Sequence, residues 1–177
     1  MEHSVRVARL AARLARAHGL DPNPAREAAM LHDLARLYSG ERLLREAADR
    51  GIPIGDFERA NPIVLHAPLG AALARERFGI DDERVLSAIR KHTVADAVMG
   101  PLDAVVFLAD GLEPGRDYPE RAALAALAER DLAGAMRAVL ASSMAYLNRR
   151  GVPIAPQTIA AAAAYGLPTP TQENCPA

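Results

Sequence analysis

Apolar residues recur along this chain with the period of an α-helix, and no segment sustains the period-two alternation of a strand. In the first segment His3, Val7, Leu10 and Leu14 fall at spacings that place them on one helix face. The opposite face is predicted to be solvated, and it contains Arg6, Arg9, Arg13 and Arg16. The chain is therefore predicted to be all-α.

Capping residues, prolines and glycines predict where the helices begin and end. Gly19 ends the first helix, and Asn23 with Pro24 begins a second helix that runs to about Leu37. Residues 51–70 are predicted to form loops and short turns. The other predicted helices cover 41–50, 67–78, 81–92 with an Asp81 cap, 101–112 from Pro101, 119–129, 131–149 with an Asp131 cap, and 156–165 after Pro156. We expect a single-domain helical bundle over residues 1–165 and a disordered C-terminal tail over 166–177.

Charge and cysteine content argue against several classes of protein. The 177 residues have a net charge of −1, without the basic block of a general nucleic-acid or membrane-surface binder. The N-terminal segment has evenly spread arginines and lacks the apolar stretch of a signal peptide or a membrane span. A cytoplasmic location is therefore expected. The only cysteine, Cys175, allows neither an internal disulfide nor a cysteine-based zinc site.

A histidine–aspartate pair lies inside an apolar helical segment, "AAMLHDLAR", as His32 and Asp33. An ionised carboxylate on a core-facing surface is costly unless a partner compensates its charge. Four more polar residues are predicted to face the same core: His3, His66, His92 and Asp110. One divalent metal ion at a shared site between the helices would compensate all of them, and imidazole and carboxylate ligands suit Fe, Mn, Zn or Ni. A buried His–Asp hydrogen-bond network without a metal is the alternative.

The ordered series H…HD…H…H…D over successive helices resembles the HD-domain superfamily of metal-dependent phosphohydrolases. Three segments resemble one branch more closely, the YqeK-type symmetrical diadenosine tetraphosphate hydrolases of bacteria. They are "AAMLHDLAR", "VLHAPLGAALARERFGIDDERVLSAIRKHT" and "MGPLDAVVFLADGLEPGRDYPE". The resemblance extends from His3 to about residue 160, and "ADGLEPGRDYP" is its most specific part.

The resemblance implies a role for each matching residue. The metal ligands, for iron or another divalent metal, would be His3, His32, Asp33 and Asp110. The substrate-binding residues would be Arg36, His66, His92, Gly111 and Arg116. The residues implied in catalysis are His32, Asp33, His66, His92 and Asp110, and the alternative role of His66 with His92 is to bind a second metal.

Three features depart from the family pattern. Arg36 replaces a common lysine, which keeps the charge but changes the shape of the side chain. The segment "HTVA", residues 92–95, replaces the usual "HTTG" and lacks its glycine. Family members also have residues before the position of His3, one of them basic, so we expect a shortened N-terminus with His3 on a fraying end.

The activity implied by the resemblance is hydrolysis of diadenosine tetraphosphate to two ADP, with a small-molecule nucleotide as the partner. Arg36 and Arg116 would neutralise the phosphate chain, although surface ion pairs, for example with Glu113 or Glu120, are the alternative for these arginines. Two other functions remain open: an HD-type phosphohydrolase acting on nucleoside mono- or triphosphates, and a metal-free helical interaction module. Small apolar residues on the alanine-rich C-terminal helices would suit a homodimer.

Overall fold

The computed structural model describes residues 2–168, and the regular secondary structure of this part of the chain is all helical, without a strand. In chain order its helices are α1 (Glu2–Ala17), α2 (Pro22–Leu31), α3 (Gly40–Asp49), α4 (Asp56–Ala60), α5 (His66–Phe78), α6 (Glu83–Lys91), α7 (Pro101–Leu112), α8 (Arg121–Ala128), α9 (Leu132–Arg149) and α10 (Pro156–Ala164), with a 3₁₀ turn (Pro62–Leu65) before α5. The all-α prediction is confirmed.

The tail predicted over residues 166–177 lies mostly outside the described residues, as does Cys175. The boundary between a domain at 1–165 and this tail therefore stays a prediction. Within residues 2–168, none of the helices combines the length and the apolar character that crossing a bilayer requires.

Helix α2 begins and ends earlier than the sequence predicted. Asp21, and not Asn23, caps it, because the Asp21 carboxylate accepts the Asn23 N–H at 2.9 Å. The helix ends at Leu31, and the chain continues to Leu37 as tight turns. The Nδ1–H of His32 donates to the Ala29 carbonyl at 2.7 Å. The next α-helical hydrogen bond, from the Asp33 N–H, would need the same carbonyl as its acceptor.

Other helix boundaries confirm or correct the sequence predictions. Pro101 begins α7, and Asp131 caps α9 by accepting the Gly134 N–H at 2.9 Å, both as predicted. Asp82 replaces Asp81 as the cap of α6, because its carboxylate is the one that accepts a backbone N–H of the first turn. The stretch 51–70, predicted as loops and short turns, contains α4, the 3₁₀ turn and the start of α5.

Helix α7 is the central helix of the bundle. Every residue from Asp103 to Ala109 is buried, as expected for a helix enclosed on all sides. Leu108 packs in a cluster with α1 and α9, and Val106 packs in a second cluster with α5 and α6. A fully buried leucine contributes about 1.5–3 kcal/mol of hydrophobic stabilisation. This packing fixes the C-terminal end of α7, where Asp110 lies.

Helix α1 has the apolar face that the sequence predicted, with Val7, Leu10 and Leu14 buried. The prediction of a fully solvated arginine face is wrong at one position. Arg6 is only about a third exposed, because it forms an ion pair with the buried Glu113 at the end of α7.

Candidate metal centre

Five helices bring the six predicted polar residues to one site. His3 lies in the first turn of α1, and Asp110 lies near the end of α7. The remaining members follow or begin other helices: His32 and Asp33 follow α2, His66 begins α5, and His92 follows α6. Helix termini therefore direct most of these side chains to the same point between the helices.

Three of the histidines share one orientation. In each, Nδ1 lies within hydrogen-bond distance of the carbonyl oxygen three residues earlier. The pairs are His32 with Ala29 at 2.7 Å, His66 with Ile63 at 2.5 Å, and His92 with Ile89 at 2.7 Å. Because a carbonyl only accepts, Nδ1 must hold the proton, and Nε2 of each neutral ring is left as a lone pair facing the centre.

Two carboxylates face these lone pairs. Asp110 Oδ1 lies 3.0 Å from His3 Nε2 and 3.8 Å from His32 Nε2. Asp33 Oδ2 lies 3.4 Å from His32 Nε2 and 3.9 Å from His3 Nε2. The ligand atoms of His3, His32 and Asp110 lie within 4.8 Å of one another, and so do those of His32, Asp33 and His92.

His32 provides the strongest indication of a cation. Its side chain is fully buried, and its Nε2 has no hydrogen-bond partner. A buried polar atom without a partner is costly and rare in folded proteins. A divalent metal would bind this lone pair together with the two carboxylates. A histidine that binds a metal through one ring nitrogen typically donates its other N–H to a carbonyl or carboxylate, as His32 does to Ala29. The side chains present therefore fit a borderline divalent metal.

His66 and His92 form a second pair beside this group. Their Nε2 atoms are 3.1 Å apart, and the Thr93 hydroxyl lies 3.1 and 3.0 Å from them. Burial, together with the neighbouring His32 and His66, lowers the pKa of His92 to about 3. The His92 ring is therefore neutral near pH 7, and its inward nitrogen can only accept.

Asp33 lies between the two groups and stays ionised. Its Oδ1 is 3.4 Å from His66 Nε2 and 3.8 Å from His92 Nε2. Burial alone would raise the pKa of its carboxyl. The interactions of this carboxyl with the imidazoles of His66, His32 and His92 outweigh burial, so its pKa lies well below the usual range.

Glu113 is a site residue that sequence reasoning missed. It is buried, and its Oε1 lies 3.2 Å from His3 Nδ1. Its Oε2 accepts the Arg6 Nε–H at 2.5 Å and the Gly115 N–H at 2.6 Å. Burial alone would raise the pKa of its carboxyl, but these hydrogen bonds have the larger effect and lower the pKa to about 2. The available signal was its spacing, since Glu113 follows Asp110 by three residues on one helix face.

Gly115, the glycine of "LEPGR", occupies a position where a side chain would clash with a neighbour. A Cβ on Gly115 would lie 2.5 Å from Arg6 Nη2 and 2.8 Å from Arg6 Cζ. The guanidinium is held in place by Glu113, so it cannot move away without loss of that ion pair. Gly115 thus lets the segment after α7 close over α1 beside His3.

Three of the four candidate ligands, His3, Asp33 and Asp110, line a cleft of about 320 Å³, and the two predicted phosphate-binding arginines line it as well. Arg116 Nη2 donates to Asp110 Oδ1 at 2.6 Å, and its Nε donates to the Asp110 carbonyl at 3.0 Å. Arg36 is exposed. Gly111 lines a neighbouring groove instead of this cleft. The ion pair of Arg116 is therefore with a candidate ligand, and not with Glu113 or Glu120 as the surface alternative supposed.

A family model described as HD domain matches residues 1–134 of this chain, which include every member of the cluster above. The chain belongs to the HD-domain family. Within that family, a symmetrical bis(5′-nucleosyl)-tetraphosphatase of Halalkalibacterium halodurans is 35% identical, over 90% of this chain and 84% of its own. Its counterpart in Bacillus subtilis is also 35% identical, over 88% of this chain and 83% of its own.

A solved HD structure agrees with the fold. The crystal structure of a predicted HD superfamily hydrolase involved in NAD metabolism from Clostridium acetobutylicum superposes with a TM-score of 0.90 at 32% identity. The match covers 93% of this chain and 87% of that chain. The prediction of a single-domain HD-type bundle is confirmed, and so is the resemblance to the symmetrical tetraphosphatases.

Proposed function

We propose that this HD-domain protein hydrolyses diadenosine tetraphosphate symmetrically to two ADP. The observation that supports the proposal most strongly is the buried, unpartnered Nε2 of His32, which lies beside two carboxylates, Asp33 and Asp110, that line an open cleft. The relatives named as symmetrical tetraphosphatases match this chain in sequence over most of their length. The side chains of the site and the names of the related proteins thus favour the same reaction, hydrolysis of a phosphoanhydride in a dinucleotide.

We propose His3, His32, Asp33 and Asp110 as the ligands of a divalent metal, with iron first and Mn, Ni or Zn as alternatives. A bound metal supplies a Lewis acid for the phosphoryl oxygens and lowers the pKa of a coordinated water. Asp33 and Asp110 contribute the two negative charges that offset the charge of the ion. Ala29 and Glu113, through Nδ1 of His32 and His3, orient the imidazoles toward it.

The two arginines are proposed to bind the phosphate chain. Arg36 is exposed at the cleft, where its charge can meet an incoming tetraphosphate. Arg116 donates to Asp110, and a metal held by that carboxylate would compete with this bond. The guanidinium would then be free to offer two donors to phosphate oxygens.

His66 and His92 are proposed to act as acceptors. Both carry their proton on Nδ1 and direct Nε2 toward the cleft, with the Thr93 hydroxyl between them. Such a pair can take the proton of the attacking water, or it can bind a second cation. Substitution of either residue should then reduce turnover more than it reduces substrate affinity.

A cytoplasmic location and a homodimer through the alanine-rich C-terminal helices are also proposed. The net charge of −1 favours a small-molecule nucleotide as the partner, because a general binder of nucleic acid or of membrane surfaces would have an excess of basic residues. Sedimentation of the purified protein tests the dimer.

A substrate panel tests the proposed function. The purified protein is loaded separately with Fe, Mn, Ni and Zn and assayed against diadenosine tetraphosphate and nucleoside mono- and triphosphates. We expect the highest kcat/KM for the dinucleotide and loss of activity in Asp33→Asn. Preference for a mono- or triphosphate would favour another HD phosphohydrolase. Absence of turnover with every metal would favour an interaction module.

A further inference from the structure

A larger groove adjoins the metal cleft. Its volume is about 810 Å³, against about 320 Å³ for the cleft. The segment between α7 and α8 forms one wall, and α9 forms the other. Arg116 lines both cavities, so the groove opens beside the position proposed for the phosphates.

The two cavities differ in chemistry. Apart from Ile63, every residue that lines the metal cleft has a polar or charged side chain. The groove instead combines charged and hydroxyl-bearing residues with a set of aromatic and aliphatic side chains, namely Tyr118, Leu124, Val139, Tyr146 and Leu147. A cavity of this size with apolar walls and a few polar groups is typical of a small-molecule site. The cleft suits phosphates, and the groove suits an aromatic ring system.

The groove also has the features that a nucleoside requires. The Tyr118 hydroxyl donates to the Gly111 carbonyl at 3.0 Å, which holds the Tyr118 ring in place. Tyr146 is 52% exposed, with the Arg150 guanidinium 5.7 Å from its ring centroid, and the exposed part of the ring can stack with a base. Hydroxyls of Ser142 and Ser143 on α9 line the same wall and offer partners for a ribose.

We propose that this groove binds one nucleoside of the dinucleotide substrate, while the phosphate chain passes Arg116 into the metal cleft. The inference rests on the proposed function for the identity of the ligand. Asp117 and Glu120 also line the groove, and their carboxylates can accept hydrogen bonds from ribose hydroxyls or an amino group. Because Arg116 and Arg149 balance these two charges, the aromatic and aliphatic side chains of the groove, and not its net charge, favour a nucleoside there.

Calorimetric titration of the metal-loaded protein with ADP and with inorganic pyrophosphate tests the groove without measuring activity. Tyr146→Ala removes an exposed ring, and Ser143→Trp fills the groove. Phe78→Ala is the matched control, because Phe78 is a similarly exposed aromatic (56%) on α5 and is not among the residues that line the groove. We expect both groove variants to weaken ADP binding about tenfold or more, with pyrophosphate affinity unchanged, and Phe78→Ala to change neither.

Unchanged ADP affinity in both groove variants would overturn the proposal. An equal loss of pyrophosphate affinity would overturn it too, because the substitutions would then act on the metal cleft and not on a nucleoside. Failure of the proposed function is distinguishable: ADP binding that depends on Tyr146, together with no hydrolysis of diadenosine tetraphosphate, would leave the nucleoside groove in place and remove the reaction.

Discussion

Glu113 and His3 meet through Oε1 and Nδ1 at 3.2 Å, and this contact joins the C-terminal end of α7 to the first turn of α1. Glu113 leaves His3 Nε2 directed at Asp110, 3.0 Å away. A carboxylate behind a histidine ligand fixes the tautomer and orients the ring. The sequence predicted that His3 lies on a fraying end. The structure argues against this, because α1 is helical from Glu2 and both ring nitrogens of His3 face a carboxylate, Glu113 on one side and Asp110 on the other.

Glu113→Gln is expected to weaken metal binding about 10–100-fold, because an amide orients His3 and Arg6 less well than a carboxylate. Competition with a chromophoric chelator measures the affinity. Glu120→Gln is the matched control, since Glu120 is exposed beyond the same helix. Equal affinities for the two variants would remove Glu113 from the metal centre.

His32→Ala is expected to abolish bound metal, because His32 belongs to both groups of potential ligands. Elemental analysis measures the metal content, and a chelator should lower the melting temperature of the wild type but not of the variant. His18→Ala is the matched control, since His18 bonds the Ala128 carbonyl at the other end of α1. A His32→Ala protein with full metal content would contradict the proposed ligand set.

Arg116→Ala is expected to leave the metal content unchanged and to weaken ADP binding about tenfold or more, the loss expected for a charge-assisted hydrogen bond. Titration calorimetry provides the affinity. Arg116→Lys should fall between the variant and the wild type, because it keeps the charge and loses the paired donors. Wild-type ADP affinity in Arg116→Ala would return this arginine to a purely structural pairing with Asp110.

Ala95→Gly is expected to stabilise the fold. Ala95 has a φ of 60°, in the left-handed region that favours glycine, and it is buried. Glycine at such a position is favoured by about 1 kcal/mol, or about 2–4 °C in melting temperature for a chain of this size. Thermal unfolding measures the change.

The converse substitution, Gly79→Ala, serves as its control. Gly79 has a φ of 67° and nothing within 4 Å of an added Cβ, so the alanine should destabilise by a similar amount through the backbone alone. A lower melting temperature in Ala95→Gly than in the wild type would show that strain at Ala95 does not limit stability.

The sequence predicted the cluster because its histidines stand on apolar faces at helical spacing. His92, on the face of Ile89, is a buried polar group that needs a partner, whereas His3, on the face of Val7, stays 28% exposed at the edge of the same site. Helix starts at Pro101 and Asp131 were predictable for a similar reason, since a first-turn proline and an aspartate cap act locally.

The features that the sequence did not predict depend on tertiary contacts. Glu113 and Arg6 are far apart in sequence, and either one alone has the pattern of a surface residue. The early end of α2 depends on a bond from the His32 ring to Ala29, which local propensity does not include. The nucleoside groove arises only where α9 packs beside the segment after α7.

The position of the cut in the phosphate chain tests the central claim most directly. The metal-loaded protein is mixed with diadenosine tetraphosphate, and products are separated by chromatography at an early time point. Attack on a phosphorus at the central bridge gives ADP alone, and we expect ADP as the only nucleotide product, with its formation lost in Asp33→Asn. ATP and AMP in equal amounts would contradict symmetrical hydrolysis.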